Sequence, residues 1–520
     1  MKKQGAFTGA VILTASGLIV KILSAFFKIP LGAILGPEGN GVFSIAYNVY
    51  ALVFVIATAG IPVAMSKTVA EADARGENTG VILKRAIFPF GILGGLMSIV
   101  LFAFSTPIAK VMGAEDARLS LMAISPAIFF VSIAAILRGY YQGLGNMIPT
   151  AISEIIEAAS KFLFGILCAY LVLKLAGEID RVAAGAVAGI TLGTLFSSLF
   201  LLLKKKERRM DGGDGKGVLV QLVKTALPIT MGASVVSLSN VIDSALIMNL
   251  LCRMGESESQ ALWLFGAYNY ASTVFNLPGF LTATLGISII PAVTGAKVMG
   301  QYKEMSRLLE FSFRLTFSIA TAACGGLFLL STPILKVLYQ GVDYDAIHAG
   351  GRLLSILAFA VPTLSMSTLS ASVLQALGDV KTPMYAMTIG AISKVFFNFV
   401  LISVGKIGIS GAAISTVICY GITCGINLTA LWKRGEINLS LTRILLLPTL
   451  SAILPTLCAK YVFSWVSAKI GNFIALFGTI GCGVLLWSVC IMLFGVVEIG
   501  DIKRLFNQKE SPFFQKITKK

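Results

Sequence analysis

Long apolar runs separated by short polar connections recur along the whole chain, and this pattern constrains the fold more than any motif does. A hydrocarbon core takes about 20 residues of helix to cross. Within it no water reaches the backbone, so each segment must satisfy its own peptide groups. Each run is therefore read as a membrane helix, which gives an all-α polytopic protein of about 14 transmembrane helices. Composition agrees: 56% of the residues are hydrophobic and 13% charged, about half the charge of a soluble protein. The first run does not read as a cleaved leader. Lys21 interrupts it, it outlasts the usual apolar stretch of a signal peptide, and no small-residue cleavage site follows.

A second pattern divides the chain in two. Ser105-Thr106-Pro107-Ile108-Ala109-Lys110-Val111 returns with one change as Ser331-Thr332-Pro333-Ile334-Leu335-Lys336-Val337, 226 positions later. Gln142-Gly143-Leu144-Gly145 returns as Gln375-Ala376-Leu377-Gly378, Ser160-Lys161 as Ser393-Lys394, and Gly185-Ala186 as Gly411-Ala412. Several echoes in one order mark a duplicated half. Six spans per half is an even number, so both copies enter the membrane in the same sense. The result is two parallel six-helix repeats with a shared cleft as the substrate path. Two extra C-terminal helices lie outside the duplication, as structural support or as the wall of a lipid-facing groove. The boundaries are a first lobe at 1–203, a basic linker at 204–221, a second lobe at 222–432, the extra helices at 433–498 and a basic tail at 499–520.

The net charge of +17 follows from topology. With Lys2 and Lys3 inside, the connections 67–85, 204–224, 297–314 and 433–443 and the tail share one side and hold most of the 42 Lys and Arg. That is the positive-inside bias, and it places both termini in the cytoplasm. Anionic inner-leaflet lipid accounts for the charge, and no nucleic-acid partner is implied. The run Lys204-Lys205-Lys206-Glu207-Arg208-Arg209, continued by Gly212-Gly213-Asp214-Gly215, reads as an interlobe connector. Eight cysteines without a Cys-x-x-Cys spacing read as small apolar packers. The single histidine, His348, stands beside Asp343 and Asp345 and reads as part of a solvated loop, not a metal site. No Walker loop, nucleophile elbow or metalloprotease helix is present. The chain is therefore expected not to be an enzyme, with no resident cofactor and transport drawn from an ion gradient, the membrane potential or the substrate's own gradient.

Charges within spans are the candidate site. Lys21 and Lys28 lie two turns apart on one face of the first helix. A cation at the bilayer centre costs on the order of 3 kcal/mol, so two on one face suggest an anion site. Lys28 is also close enough to the Gly36-Pro37-Glu38-Gly39 connection to snorkel towards it. Glu154, Glu157 and Lys161 share a face of the fifth span, where Glu157 and Lys161 pair with each other or serve a ligand. Lys394, the duplicate of Lys161, has no acid at that spacing and has Asn398 one turn on. Its candidate partner is Asp243 of the seventh span, as a fixed ion pair or as a site exchanging a cation or proton. Arg138-Gly139-Tyr140-Tyr141-Gln142-Gly143 closes the fourth span. There Arg138 offers a planar fork for phosphate and the tyrosines suit the headgroup level. Either a pyrophosphate docks on this segment or it is an ordinary interfacial anchor.

Three segments then carry a resemblance: Arg138 to Gly143 with Asn146 and Pro149; the opening helix with Lys21, ending Leu35-Gly36-Pro37-Glu38-Gly39-Asn40-Gly41; and Gly60-Ile61-Pro62-Val63-Ala64-Met65-Ser66-Lys67. Over essentially its whole length the chain resembles the oligosaccharidyl-lipid flippases of the multidrug/oligosaccharidyl-lipid/polysaccharide exporter (MOP) superfamily. It is most similar to the lipid II flippase (MurJ) branch with the stage V sporulation protein B group. The resemblance implies a V-shaped pair of lobes and a cationic central cavity. It also implies alternating access that moves an undecaprenyl-pyrophosphate-linked sugar from the inner to the outer leaflet of a bacterial plasma membrane. Lys21 occupies the position of an essential basic residue in the family, and Lys28 lies near a second. Where Gram-negative members carry an Asp-Arg pair and a Glu in the eighth helix, this chain has Ser272, Thr273 and Asn276 before Pro278. Some members bind sodium through an acid that Asp243 resembles. Lys394 is placed to displace that ion, so a coupling cation, Na+ or H+, stays open.

The expected cargo is a lipid-linked cell-wall precursor, lipid II first. Lysines suit its pyrophosphate, a wet space its headgroup, and lipid its tail. The substrate-binding set is then Lys21, Lys28, Arg138, Gln142, Glu157 and Lys161, and the ion-coupling or buried-pair set Asp243, Lys394 and Asn398. A polysaccharide-repeat flippase, a drug/cation antiporter of the same superfamily and a non-transporting scaffold are the alternatives. An antiporter for cationic drugs favours acids and aromatics where this first helix has lysines. A monomer is expected, against anionic membrane lipid, with the cell-wall synthesis machinery as a candidate partner.

Overall fold

The structure is a computed structural model that describes residues 6–175, 177–204, 217–405, 407–434 and 442–497. Lys2, Lys3, the connector from Lys205 to Gly215 and the tail at 499–520 lie outside the described residues. The helices run α1 (Ala6–Thr58), α2 (Ile61–Ala74), α3 (Thr79–Ala103), α4 (Ser105–Val111), α5 (Arg118–Gly143), α6 (Ile148–Leu175), α7 (Ile179–Leu203), α8 (Val218–Arg253) and α9 (Glu258–Val298). They continue as α10 (Tyr302–Leu329), α11 (Ser331–Leu338), α12 (Tyr344–Ala358), α13 (Ala360–Ala376), α14 (Lys381–Asn398), α15 (Ser410–Lys433), α16 (Leu447–Ile470) and α17 (Asn472–Leu493). No strand occurs among the described residues.

Among those residues, eleven helical stretches are long and apolar enough to cross a bilayer, or twelve if α12 and α13, bent by 47°, count as one. The sequence reading of about 14 spans exceeds this partly because Val11–Ala74 counts as one stretch although it holds two apolar runs. Gly36 interrupts α1 with φ 67°, and the chain turns back there. Lys28 Nζ lies 5.5 Å from the Tyr47 ring centroid, whereas a straight helix would separate those residues by about 28 Å at 1.5 Å per residue.

The duplication is visible in the backbone. The repeated Ser-Thr-Pro-Ile phrase opens a short helix in each half, α4 and α11. The repeated Gln-x-Leu-Gly phrase ends α5 and α13 in the same way. Gly145 (φ 74°) and Gly378 (φ 92°) adopt the left-handed conformation. Their N–H groups bond Gln142 O and Gln375 O, while Asn146 N and Asp379 N bond Tyr141 O and Leu374 O. This double closure of a helix end calls for glycine at the left-handed position. The next residue in each copy, Asn146 or Asp379, then accepts from the first turn of the following helix, at Ile148 N or Thr382 N.

The chain packs into two units. The first holds Met1–Asn269 with Tyr339–Ala346 and Asn398–Ile409; the second holds Tyr270–Leu338, Ile347–Phe397 and Ser410–Lys520. This division does not coincide with the duplication, because α8, the start of α9 and two later segments join the first unit. Lipid is as apolar as leucine, so membrane helices associate through small residues that let backbones approach. Thus α6 and α7 meet at Gly165 and Gly189, where a methyl on Gly189 would lie 2.2 Å from the Gly165 Cα. A buried cluster including Met65, Leu83, Leu137, Tyr140 and Leu222 completes the first unit. In the second unit Phe313, Leu369, Leu374 and Leu431 lie in one core. There α16 packs on α10 and α17, and Trp487 Nε1 donates to Ser318 Oγ at 3.2 Å.

Candidate functional site

Polar side chains from four helices meet inside the first unit. Arg138 of α5 turns inward: its Nε donates to Ser153 Oγ at 2.9 Å, and one Nη donates to Glu157 Oε2 and to Ser197 Oγ, both at 2.8 Å. Ser153 and Glu157 stand one turn apart on α6, so one face of that helix presents both, and Ser197 comes from α7. Side-chain exposure is 12% for Arg138 and 13% for Glu157. Gly193 of α7 makes room, since a methyl there would lie 2.8 Å from the Glu157 carbonyl oxygen. On the same face of α6, Glu154 accepts from Ser16 of α1 at 3.4 Å. The hydroxyl of Tyr50, also on α1, is buried without a hydrogen-bond partner.

This geometry redraws three sequence expectations. Glu157 takes Arg138, not Lys161, as its ion-pair partner, because the guanidinium reaches it from α5, where Ser153 and Ser197 also accept from it. Lys161 is half-buried and makes no ion pair among the described residues. The Arg138 fork, expected to face a phosphate, is engaged by the chain's own acid and hydroxyls. Nor do Tyr140 and Tyr141 sit at a headgroup surface. They are 1% and 2% exposed and pack edge to face, with the Tyr140 hydroxyl 3.5 Å from Thr79 Oγ1 and the Tyr141 hydroxyl donating to Lys204 O at 3.4 Å. Gln142 is half-buried.

Lys21 and Lys28 are both exposed on α1, the latter over the Tyr47 ring. On α8, Asp243 is buried and accepts a hydrogen bond from Asn398 Nδ2. Asn398 ends α14, where the π-helical stretch Phe399–Val404 begins. Lys394, one turn before Asn398, is half-buried and belongs to the second unit. No group of three or more His, Cys, Asp or Glu side chains able to hold a metal occurs among the described residues.

Sequence reasoning missed Ser153, Ser197, Ser16 and Tyr50. Ser153 carried a signal, being one turn before Glu157. Ser197 carried none, because its role depends on how α7 lies against α5 and α6.

Residues 6–297 match the family model described as polysaccharide biosynthesis protein, and residues 228–400 match the MatE model. The chain is 26% identical to stage V sporulation protein B of Bacillus subtilis, over 97% of its own length and 98% of that protein. It is 24% identical to the lipid II flippase MurJ of the same organism, over 79% and 80% respectively. The solved structure of a lipid II flippase MurJ in an inward closed conformation superposes with a TM-score of 0.71 at 17% identity, covering 93% of this chain and 98% of that one. A duplicated bundle of membrane helices with this fold is a multi-pass transporter of the MOP superfamily, and not an enzyme. The chain belongs to the polysaccharide biosynthesis protein family.

Proposed function

We propose that the protein is a flippase that carries an undecaprenyl-pyrophosphate-linked cell-wall precursor, foremost lipid II, from the inner to the outer leaflet of the bacterial plasma membrane by alternating access. One observation carries this reading: Lys21 and Lys28 are the only charges between Lys3 and Glu38, and both stay exposed on α1. A cation kept in a membrane helix costs on the order of 3 kcal/mol, and the charge-assisted bonds of a pyrophosphate offset that cost. The names of the Bacillus subtilis relatives support the cargo class. So does an apolar cavity of about 340 Å³ in the second unit, walled by Pro278, Leu281, Ala322, Pro455, Gly483 and Trp487, which suits a length of polyprenyl tail. The basic connections orient both termini to the cytoplasm.

Replacing Lys21 with Ala abolishes growth of a flippase-depleted host and accumulates lipid-linked precursor on the inner face, while membrane levels of the protein stay normal; Lys21→Arg retains part of the activity. Full growth on Lys21→Ala would remove the basis of the reading. The MatE match over 228–400 favours a drug/cation antiporter as the second reading. That reading requires ethidium efflux from the same cells.

A further inference from the structure

The two arms of α1 on either side of Gly36 carry different chemistry. The first holds Lys21 and Lys28, whereas from Gly39 to its end at Thr58 the second holds no charged residue and is rich in rings. Along it Phe43 and Tyr47 stack at 5.9 Å and 15°, Tyr47 and Tyr50 lie 6.2 Å apart, and Tyr50 and Phe54 5.7 Å. Phe27 of the first arm meets Phe43 edge to face at 6.2 Å. Asn48 Nδ2 donates to Ser244 Oγ at 2.7 Å, which anchors the ringed arm to α8. A rise of about 1.5 Å per residue sets Lys28 about 12 Å and Tyr47 about 16 Å from the Gly36 turn, near mid-depth of a hydrocarbon core about 30 Å thick.

Phe43 and Tyr50 are buried, but Tyr47 between them is only half-buried. Lys28 Nζ stands 5.5 Å from the Tyr47 ring centroid. Lys28 is nevertheless exposed and makes no ion pair among the described residues, and the Tyr47 hydroxyl makes no hydrogen bond among them. A cation without an acid, a ring face beside it and a spare hydroxyl are the complement of a sugar carried on a phosphate. The phosphate oxygens take the ammonium, the C–H face of the pyranose lies on the negative face of the ring, and the phenol reaches a sugar hydroxyl. We propose that Lys28 and Tyr47 form a glycosyl-phosphate subsite in which Tyr47 reads the first sugar attached to the pyrophosphate. The subsite rests on the flippase reading and adds to it the residue that tells a sugar-bearing carrier lipid from a bare one.

In the free protein the ammonium occupies the ring face. A phosphate draws it away, because a charge-assisted bond to an anion exceeds the attraction of a ring for an accessible cation, and the vacated face is offered to the sugar. Phosphate and sugar are thereby coupled through one lysine: the sugar gains its platform once the phosphate is in place. A ring-bearing cation meets the opposite response, since Lys28 repels it from the same face. The subsite therefore selects against the substrates of a drug/cation antiporter as well as against a carrier lipid without sugar.

Binding of two probes to the purified full-length protein in lipid nanodiscs tests this: undecaprenyl pyrophosphate, and the same lipid with an N-acetylhexosamine on its terminal phosphate. The native chain is expected to bind the sugar-bearing probe several-fold more tightly. Tyr47→Ala is expected to lose that preference and to bind the bare probe as the native chain does, while Tyr47→Phe, which keeps the ring and drops the phenol, retains most of it. Where Tyr47→Ala lowers the melting temperature, Tyr47→Leu, which keeps bulk without a ring, takes its place. Lys28→Ala is expected to weaken both probes by about tenfold. Equal affinity of the native chain for the two probes, a preference that survives loss of the ring, a loss that falls equally on both probes, or unchanged binding by Lys28→Ala overturns the subsite and leaves the flippase reading standing. A native chain that binds neither probe overturns both.

Discussion

Arg138 illustrates how a buried charge is held when an acid and neutral hydroxyls share its donors. Two serines and one carboxylate from two other helices receive its donors, so removal of the guanidinium strands Glu157 in an apolar bundle. Arg138→Ala is therefore expected to cost about 3–5 kcal/mol of stability, seen as a lower melting temperature in detergent. The double variant Arg138→Met, Glu157→Leu, which removes both charges and keeps the volume, is expected to recover most of that loss. An equal loss in the double variant would mean that packing, and not the ion pair, holds the site. The spacing of Glu154, Glu157 and Lys161 already placed these side chains on one face of α6. It did not reveal which cation Glu157 would take, because an i, i+4 lysine on the same helix and a guanidinium from a second helix look equally available until the helices are packed.

At the scale of elements, helix existence was legible because apolar length leaves the backbone no alternative, and the echoed phrases marked where helices end in both halves. The reversal of α1 was legible too, since the Gly36-Pro37-Glu38-Gly39 connection between two apolar runs is where the chain turns back. Hidden was the closeness of α6 and α7, since one glycine among the 52 in the chain looks like another until a neighbour is seen. A direct comparison separates them. Gly189→Ala presses a methyl into the Gly165 backbone at 2.2 Å and is expected to cost about 1–3 kcal/mol, as overpacking does. Gly232→Ala in α8 meets nothing within 4 Å and is expected to be neutral or to stabilise by up to about 1 kcal/mol through helix propensity. Thermal melts of the two variants in one detergent check both, and equal effects would refute the packing account.

Over the whole molecule the duplication has preserved helix ends and divided the charges. In the register set by Ser160-Lys161 and Ser393-Lys394, Glu157 corresponds to Gly390; in that of Gln142 and Gln375, Arg138 corresponds to Ala371. Gly390 instead lets α14 close on α15, where a methyl would lie 2.2 Å from Thr423 Oγ1. The ion pair that locks α5, α6 and α7 in the first half thus has no copy, and the deep acid of the second half, Asp243, is bound to an amide. Asp243 and Asn398 are the residues on which the proposed coupling to an ion is tested. In proteoliposomes, flipping by the native protein is expected to respond to an imposed Na+ or proton gradient, the effective gradient identifying the ion. Asp243→Asn is expected to abolish that response and leave a slower, gradient-independent rate. Lys394→Met tests the opposite possibility, a fixed Asp243–Lys394 pair. Such a pair predicts that either single variant loses stability and that the double variant restores it, with a coupling of about 0.5–3 kcal/mol, whereas a coupling site predicts no restoration of the gradient response.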